Sequence, residues 1–167
     1  MKKYILFIFL FAFMGCTNKC DDGYLCRFLY FPTSDNEDCY WVEVEENHKM
    51  KVTCGDIDWD YLSGLVLGKE IELDQGITWE KIKAEDSIIV NSADYRQLEE
   101  LAAEVSKRKS VNNFLVSISN DGQGTVLFIK DKYYYVELGD YKDKPTKDLV
   151  QKLKDVSPIP IRSSAHP

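Results

Sequence analysis

Asp56, Asp58 and Asp60 stand at alternate positions, the spacing at which carboxylates ligate calcium in a helix-flanked loop. Such a loop needs glycine at its sixth position and a bidentate glutamate at its twelfth. Those positions hold Tyr61 and Leu67, so the segment reads as a solvated acidic loop and no metal site is expected. Trp59 and Tyr61 within it can hold a ligand or close the edge of a core. Tyr133, Tyr134 and Tyr135 form a second aromatic group. Strand alternation sends Tyr133 and Tyr135 to one face and Tyr134 to the other, which makes the first pair a second candidate contact surface. Nucleophilic catalysis needs a histidine held rigidly beside serine or cysteine. His48 falls at the tip of a predicted hairpin and His166 is next to last in the chain, so both read as exposed and solvated. A phosphate loop, a dinucleotide fingerprint and a nucleophile elbow are missing, and Gly122-Gln123-Gly124 reads as turn. No spacing singles out a catalytic carboxylate pair. The chain does not read as an enzyme, and no cofactor is expected.

Cysteine carries the next signal. Lys2 and Lys3 precede ten apolar residues, 5–14, and Gly15-Cys16 follows. The run has the size of a signal-peptide core and falls short of the roughly 20 residues that span a bilayer. Phe13-Met14-Gly15-Cys16 resembles the lipobox of bacterial lipoprotein precursors. The resemblance implies thioether diacylation of Cys16, cleavage before it and an acylated new N-terminus. Thr17, where an inner-membrane retention signal would have Asp, resembles the pattern for passage to the outer membrane, and Asp21-Asp22 resembles a weak surface-display signal. With Cys16 set aside for lipid, Cys20, Cys26, Cys39 and Cys54 remain, an even number clustered early in an exported chain. They read as a disulfide framework. Zinc fits poorly, because no Cys-x2-Cys pair exists.

Removal of residues 1–15 leaves 19 Lys+Arg against 28 Asp+Glu, a net charge of −9 on 152 residues. An acidic domain of that kind binds nucleic acid and bare anionic membrane poorly. It attracts a basic protein partner by long-range steering.

Residues 24–31 read as a buried strand. A three-residue loop at 46–48 pairs Glu45 with Lys49 and Glu43 with Lys51 on one face of a hairpin. Val44 with Met50, Val42 with Val52 and Tyr40 with Cys54 take the other face. This register points Cys39 and Cys54 to opposite faces. It favours Cys54 bonded to Cys26 or Cys20, with the other two paired. Further strands are expected at 65–74, 87–90, 113–119, 125–130 and 132–138. A helix is expected at 93–108, capped by Asn91-Ser92, with Tyr95, Leu98, Ala102 and Val105 inward. A second is expected at 147–155, capped by Thr146, with Leu149, Val150 and Leu153 inward.

The expectation is an α+β fold, mostly antiparallel sheet with two helices and a disulfide-stapled N-terminal region. Residues 1–15 form the signal peptide, 16–23 a lipidated tether, 24–157 one domain and 158–167 an extended tail. The functional expectation is a cell-envelope binding protein, lipid-anchored at the outer membrane of a Gram-negative bacterium. Within that class it suits an inhibitor or immunity protein acting on a basic secreted enzyme or toxin. The alternative is a surface glycan-binding or accessory lipoprotein using Trp59, Tyr61 or the tyrosine strand.

Overall fold

The structure is a computed structural model that describes residues 23–32, 38–58, 60–61, 77–108, 117–118, 123–130, 132–135 and 144–162. Cys16, Cys20, Trp59 and the strand expected at 65–74 lie outside these residues.

Four strands run as a meander: β1 (Tyr24–Pro32), β2 (Cys39–Glu45), β3 (Lys49–Ile57) and β4 (Trp79–Ile89). Helix α1 (Ser92–Ser106) then leads to β5 (Ser117–Ile118), β6 (Gln123–Ile129) and β7 (Lys132–Tyr135), and α2 (Lys144–Val156) follows. The sheet order is β4-β3-β2-β1-β6-β5, with β7 also on β6, and every pairing is antiparallel. The expected α+β architecture with a mostly antiparallel sheet is what the chain adopts.

The hairpin register follows the sequence. Val44 faces Met50, Glu43 faces Lys51, Val42 faces Val52 and Tyr40 faces Cys54. A one-residue slip would turn every one of these side chains to the wrong face. The apolar set, with Phe28, Tyr30, Leu127, Ile129 and Tyr134, forms the face on which both helices lie. Helix α1 contributes Tyr95, Leu98, Ala102 and Val105, and α2 contributes Leu149, Val150 and Leu153. Ile161, just past α2, closes the same core, so this part of the tail is tied down. The opposite face carries a smaller core of Leu29, Phe31, Cys39, Trp41, Ile57, Val126 and Phe128.

Helix α1 begins as expected. The Asn91 side chain accepts hydrogen bonds from the backbone N–H groups of Ala93 and Asp94, at 3.1 and 3.0 Å. Helix α2 departs from expectation by starting at Lys144, ahead of Thr146. Pro145 suits the first helical turn, where its missing N–H costs nothing. Thr146 is buried inside the helix, and its hydroxyl accepts a hydrogen bond from the Arg108 guanidinium instead of capping.

The disulfide expectation needs correction. Cys26, Cys39 and Cys54 are buried free thiols. Cys26 lies opposite Val44 and Cys54 opposite Tyr40, so β2 runs between them. Two strand spacings of about 4.8 Å place their Cα atoms beyond the roughly 7 Å limit for a bridge. Cys39 belongs to the core on the other face. No two of the three can bond, so a two-bridge framework over Cys20, Cys26, Cys39 and Cys54 is incompatible with this sheet.

Candidate functional site

β4 runs along the end of the sheet, bonded on one side to β3 and with no strand on its outer side among the described residues. Trp79 is half-buried, and the ten residues after it are all exposed. Neither helix reaches far enough over the sheet to cover them. Ile82 is 52% exposed and Ile89 71%, large apolar side chains left in water. An edge strand also presents a row of backbone N–H and C=O groups that an extended chain can pair with.

Two irregularities shape this edge. Cys54 pairs with Ala84 but Gly55 with Ile82, so Lys83 is an extra residue; Asp56 pairs with Lys81 but Ile57 with Trp79, so Glu80 is another. Bulges re-aim side chains. Here Lys83 Nζ reaches Asp38 at 2.8 Å and Asp56 at 2.6 Å. Its hydrogen bonds to Asp38 and then Asp56 hold the ammonium pKa above the usual lysine range. Gly55 is required under the first bulge, because a Cβ there would lie 2.2 Å from the Lys81 carbonyl oxygen. Farther along, Lys51 Nζ contacts Glu85 at 3.0 Å, and the Thr53 hydroxyl donates to Glu85 at 3.2 Å. The Lys51 contact first, aided by Thr53, lowers the Glu85 pKa. From Ala84 to Ile89 the pairing with β3 is regular, which leaves six residues suited to strand addition.

The structure separates the acidic loop residues. Asp56, next to last in β3, contacts Lys83. The Asp58 carboxylate accepts from the Tyr61 N–H at 2.9 Å while its own N–H donates to the Thr78 carbonyl, which makes it a turn cap. Asp60 is exposed in that turn. Among the described residues no three His, Cys, Asp or Glu side chains gather where a metal ion would sit.

Tyr61 and Tyr133, far apart in sequence, do come together. Both are half-buried against the smaller core. Burial, and then the neighbouring Tyr133, push the Tyr61 pKa up to about 12. Tyr133 meets Phe128 edge-on at 4.7 Å between ring centres, and Phe128 meets Trp41 edge-on at 5.9 Å. These tyrosines thus border a packed aromatic core. Tyr134 points to the helix-covered side as expected, and only the backbone of Tyr135 is described.

His48 is placed differently from expectation. It is half-buried, and its ring lies flat on Tyr95, with 3.8 Å between centres and 12° between planes. The cause is the docking of the 46–48 loop on α1: the Tyr95 hydroxyl donates to the Glu46 carbonyl, and the Val90 N–H donates to the His48 carbonyl.

A groove of about 670 Å³ opens between α1 and the turn joining β6 to β7. Lys130 and Lys132 line it with Glu46 and Glu99, a charge balance that favours neither a cation nor an anion.

The strand that sequence reading missed is β4 itself. Only its last residues and Val90 stood out, because 79–86 mix charge and apolarity with no buried side. The available signal was the alternation Glu80-Lys81-Ile82-Lys83 after a tryptophan. Comparison with protein-family models, curated proteins and solved structures finds no match to this chain.

Proposed function

We propose that this chain is a lipid-anchored binding protein of the cell envelope, of inhibitor or immunity type, and that it recognises a basic protein through the outer edge of β4. The carrying observation is ten consecutive exposed residues on a strand whose outer backbone side is open. The edge is mildly acidic: Glu80, Glu85 and Asp86 outnumber Lys81 and Lys83, and Asp38 and Asp56 stand beside Lys83. A basic extended segment would gain main-chain hydrogen bonds from the strand and steering from the −9 charge of the processed chain. The anchor rests on Lys2, Lys3, the apolar run and Phe13-Met14-Gly15-Cys16.

The test is capture from envelope extract by the acylated chain and by its Ile82→Asp variant. The wild type should retain a basic protein at low salt and lose much of it at 0.5 M salt, where the Debye length falls to about 4 Å; the variant should retain little. Equal capture by both chains would remove β4 from the site. Retention on a glycan column instead would support the second reading, which draws on the meeting of Tyr61 and Tyr133.

A further inference from the structure

The chain enters the sheet at Gly23, whose carbonyl accepts from the Glu46 N–H at 2.8 Å. Tyr24 lies opposite Glu45, and Lys49 lies opposite Ile89. The start of β1, the 46–48 loop and the last residues of β4 therefore share one end of the sheet. Ile89 is 71% exposed and Ile88 36%. Successive strand residues straddle the backbone, so this pair presents apolar surface on both sides of the strand end. Three strand spacings, about 15 Å, separate β1 from β4. Six residues lie between Cys16 and Gly23, so the two are at most about 25 Å apart.

We propose that Ile88 and Ile89 rest on a phospholipid surface when acylated Cys16 holds the chain there. This inference rests on the lipid-anchor reading. The short tether keeps the Gly23 end near the bilayer, and among the described residues the two isoleucines are the exposed large apolar side chains at that end. The Glu45–Lys49 pair and the exposed Glu46 and Asp86 belong to the same strand ends, an acidic excess that fits a zwitterionic rather than an anionic surface. Ile82 is seven residues up the strand, about 23 Å from Ile89. The strand from Trp79 to Ser87 is thereby left clear of the bilayer, free for a protein partner.

An environment-sensitive fluorescent amino acid placed at position 89 or at position 82 of the full acylated chain tests this in phosphatidylcholine vesicles containing doxyl-labelled lipid. The probe at 89 should be quenched about two-fold or more, as expected of side chains at the headgroup boundary, with the probe at 82 unchanged. Hydrogen exchange of the unaltered chain should slow at 88–90 in vesicles relative to detergent. An acylated chain with an unquenched probe at 89, or equal quenching at both positions, overturns the contact and leaves the anchor standing. A chain whose Cys16 carries no acyl group overturns the anchor and the contact together.

Discussion

The imidazole of His48 stacks on the phenol ring of Tyr95 at 3.8 Å, and this pair ties the β2–β3 loop to the first turn of α1. His48 adopts φ 72, a left-handed conformation that an L-residue holds at some cost. The ring contact offsets that cost, with the backbone bonds from the His48 N–H to the Glu45 carbonyl and from the Val90 N–H to the His48 carbonyl. His48→Ala should destabilise the fold by about 1 kcal/mol, since it loses the stack and keeps the strain. His48→Gly should cost less, because glycine relieves the backbone. A double-mutant cycle with Tyr95→Leu should return a coupling of about 0.5–1.5 kcal/mol. Denaturant melts that rank glycine below alanine would contradict this.

Gly55 controls the shape of the β4 edge. A methyl group there would meet the Lys81 carbonyl at 2.2 Å and the Ile82 Cα at 3.0 Å, both backbone atoms. Gly55→Ala should therefore displace the bulged half of β4 and cost about 1–3 kcal/mol. Hydrogen exchange should rise at 79–83 more than at 84–89, where pairing is regular. A variant as stable as the parent would show that the bulge can relax.

The buried thiols set the alkaline limit. Burial pushes Cys26 from 9.0 up to about 12 and, with smaller charge effects, Cys39 up to about 11. Unfolded thiols ionise first, so their contribution is complete below pH 9.0 and is lost as pH rises toward about 12. Stability should fall steadily above pH 9 and less steeply in a Cys26→Ala variant. Iodoacetamide at pH 8 should leave both thiols untouched in the folded chain and label both in denaturant. Mass spectrometry finding either joined to the other would contradict the sheet register.

The acid limit has its own marker. Hydrogen bonds from Lys152, then from Asn91, hold the Asp94 carboxyl below its ordinary value of 3.8, and the Lys152 contact joins α1 to α2. A depressed carboxyl stabilises above its unfolded pKa, and that contribution is lost as pH falls through the folded value. Asp94→Asn should flatten the acid limb of a stability-against-pH curve below pH 4 and leave the alkaline limb unchanged. An unchanged acid limb would remove this pair from acid stability.

The sequence was most legible where two independent patterns agreed. Charge pairs and apolar pairs across residues 43–51 allow one register, and the structure has it. The Asn91 cap and the 95-98-102-105 periodicity likewise coincide in α1. β4 was opaque because its stability comes from β3, a neighbour remote in sequence, and not from a buried face of its own. Cysteine parity failed for a related reason: it counts thiols, whereas strand order decides whether any two can meet. Of the expected site residues, Tyr61 and Tyr133 meet against the smaller core, a meeting between segments remote in sequence that no spacing announces.

Site-specific photo-cross-linking in the native envelope tests the binding edge most directly. A photoreactive phenylalanine analogue replaces Ile82 on β4 in one strain and Arg96, exposed on α1, in another. Irradiation should give a covalent adduct with one basic protein from position 82 and none from position 96. An adduct formed from 96 but not from 82 would contradict recognition through β4.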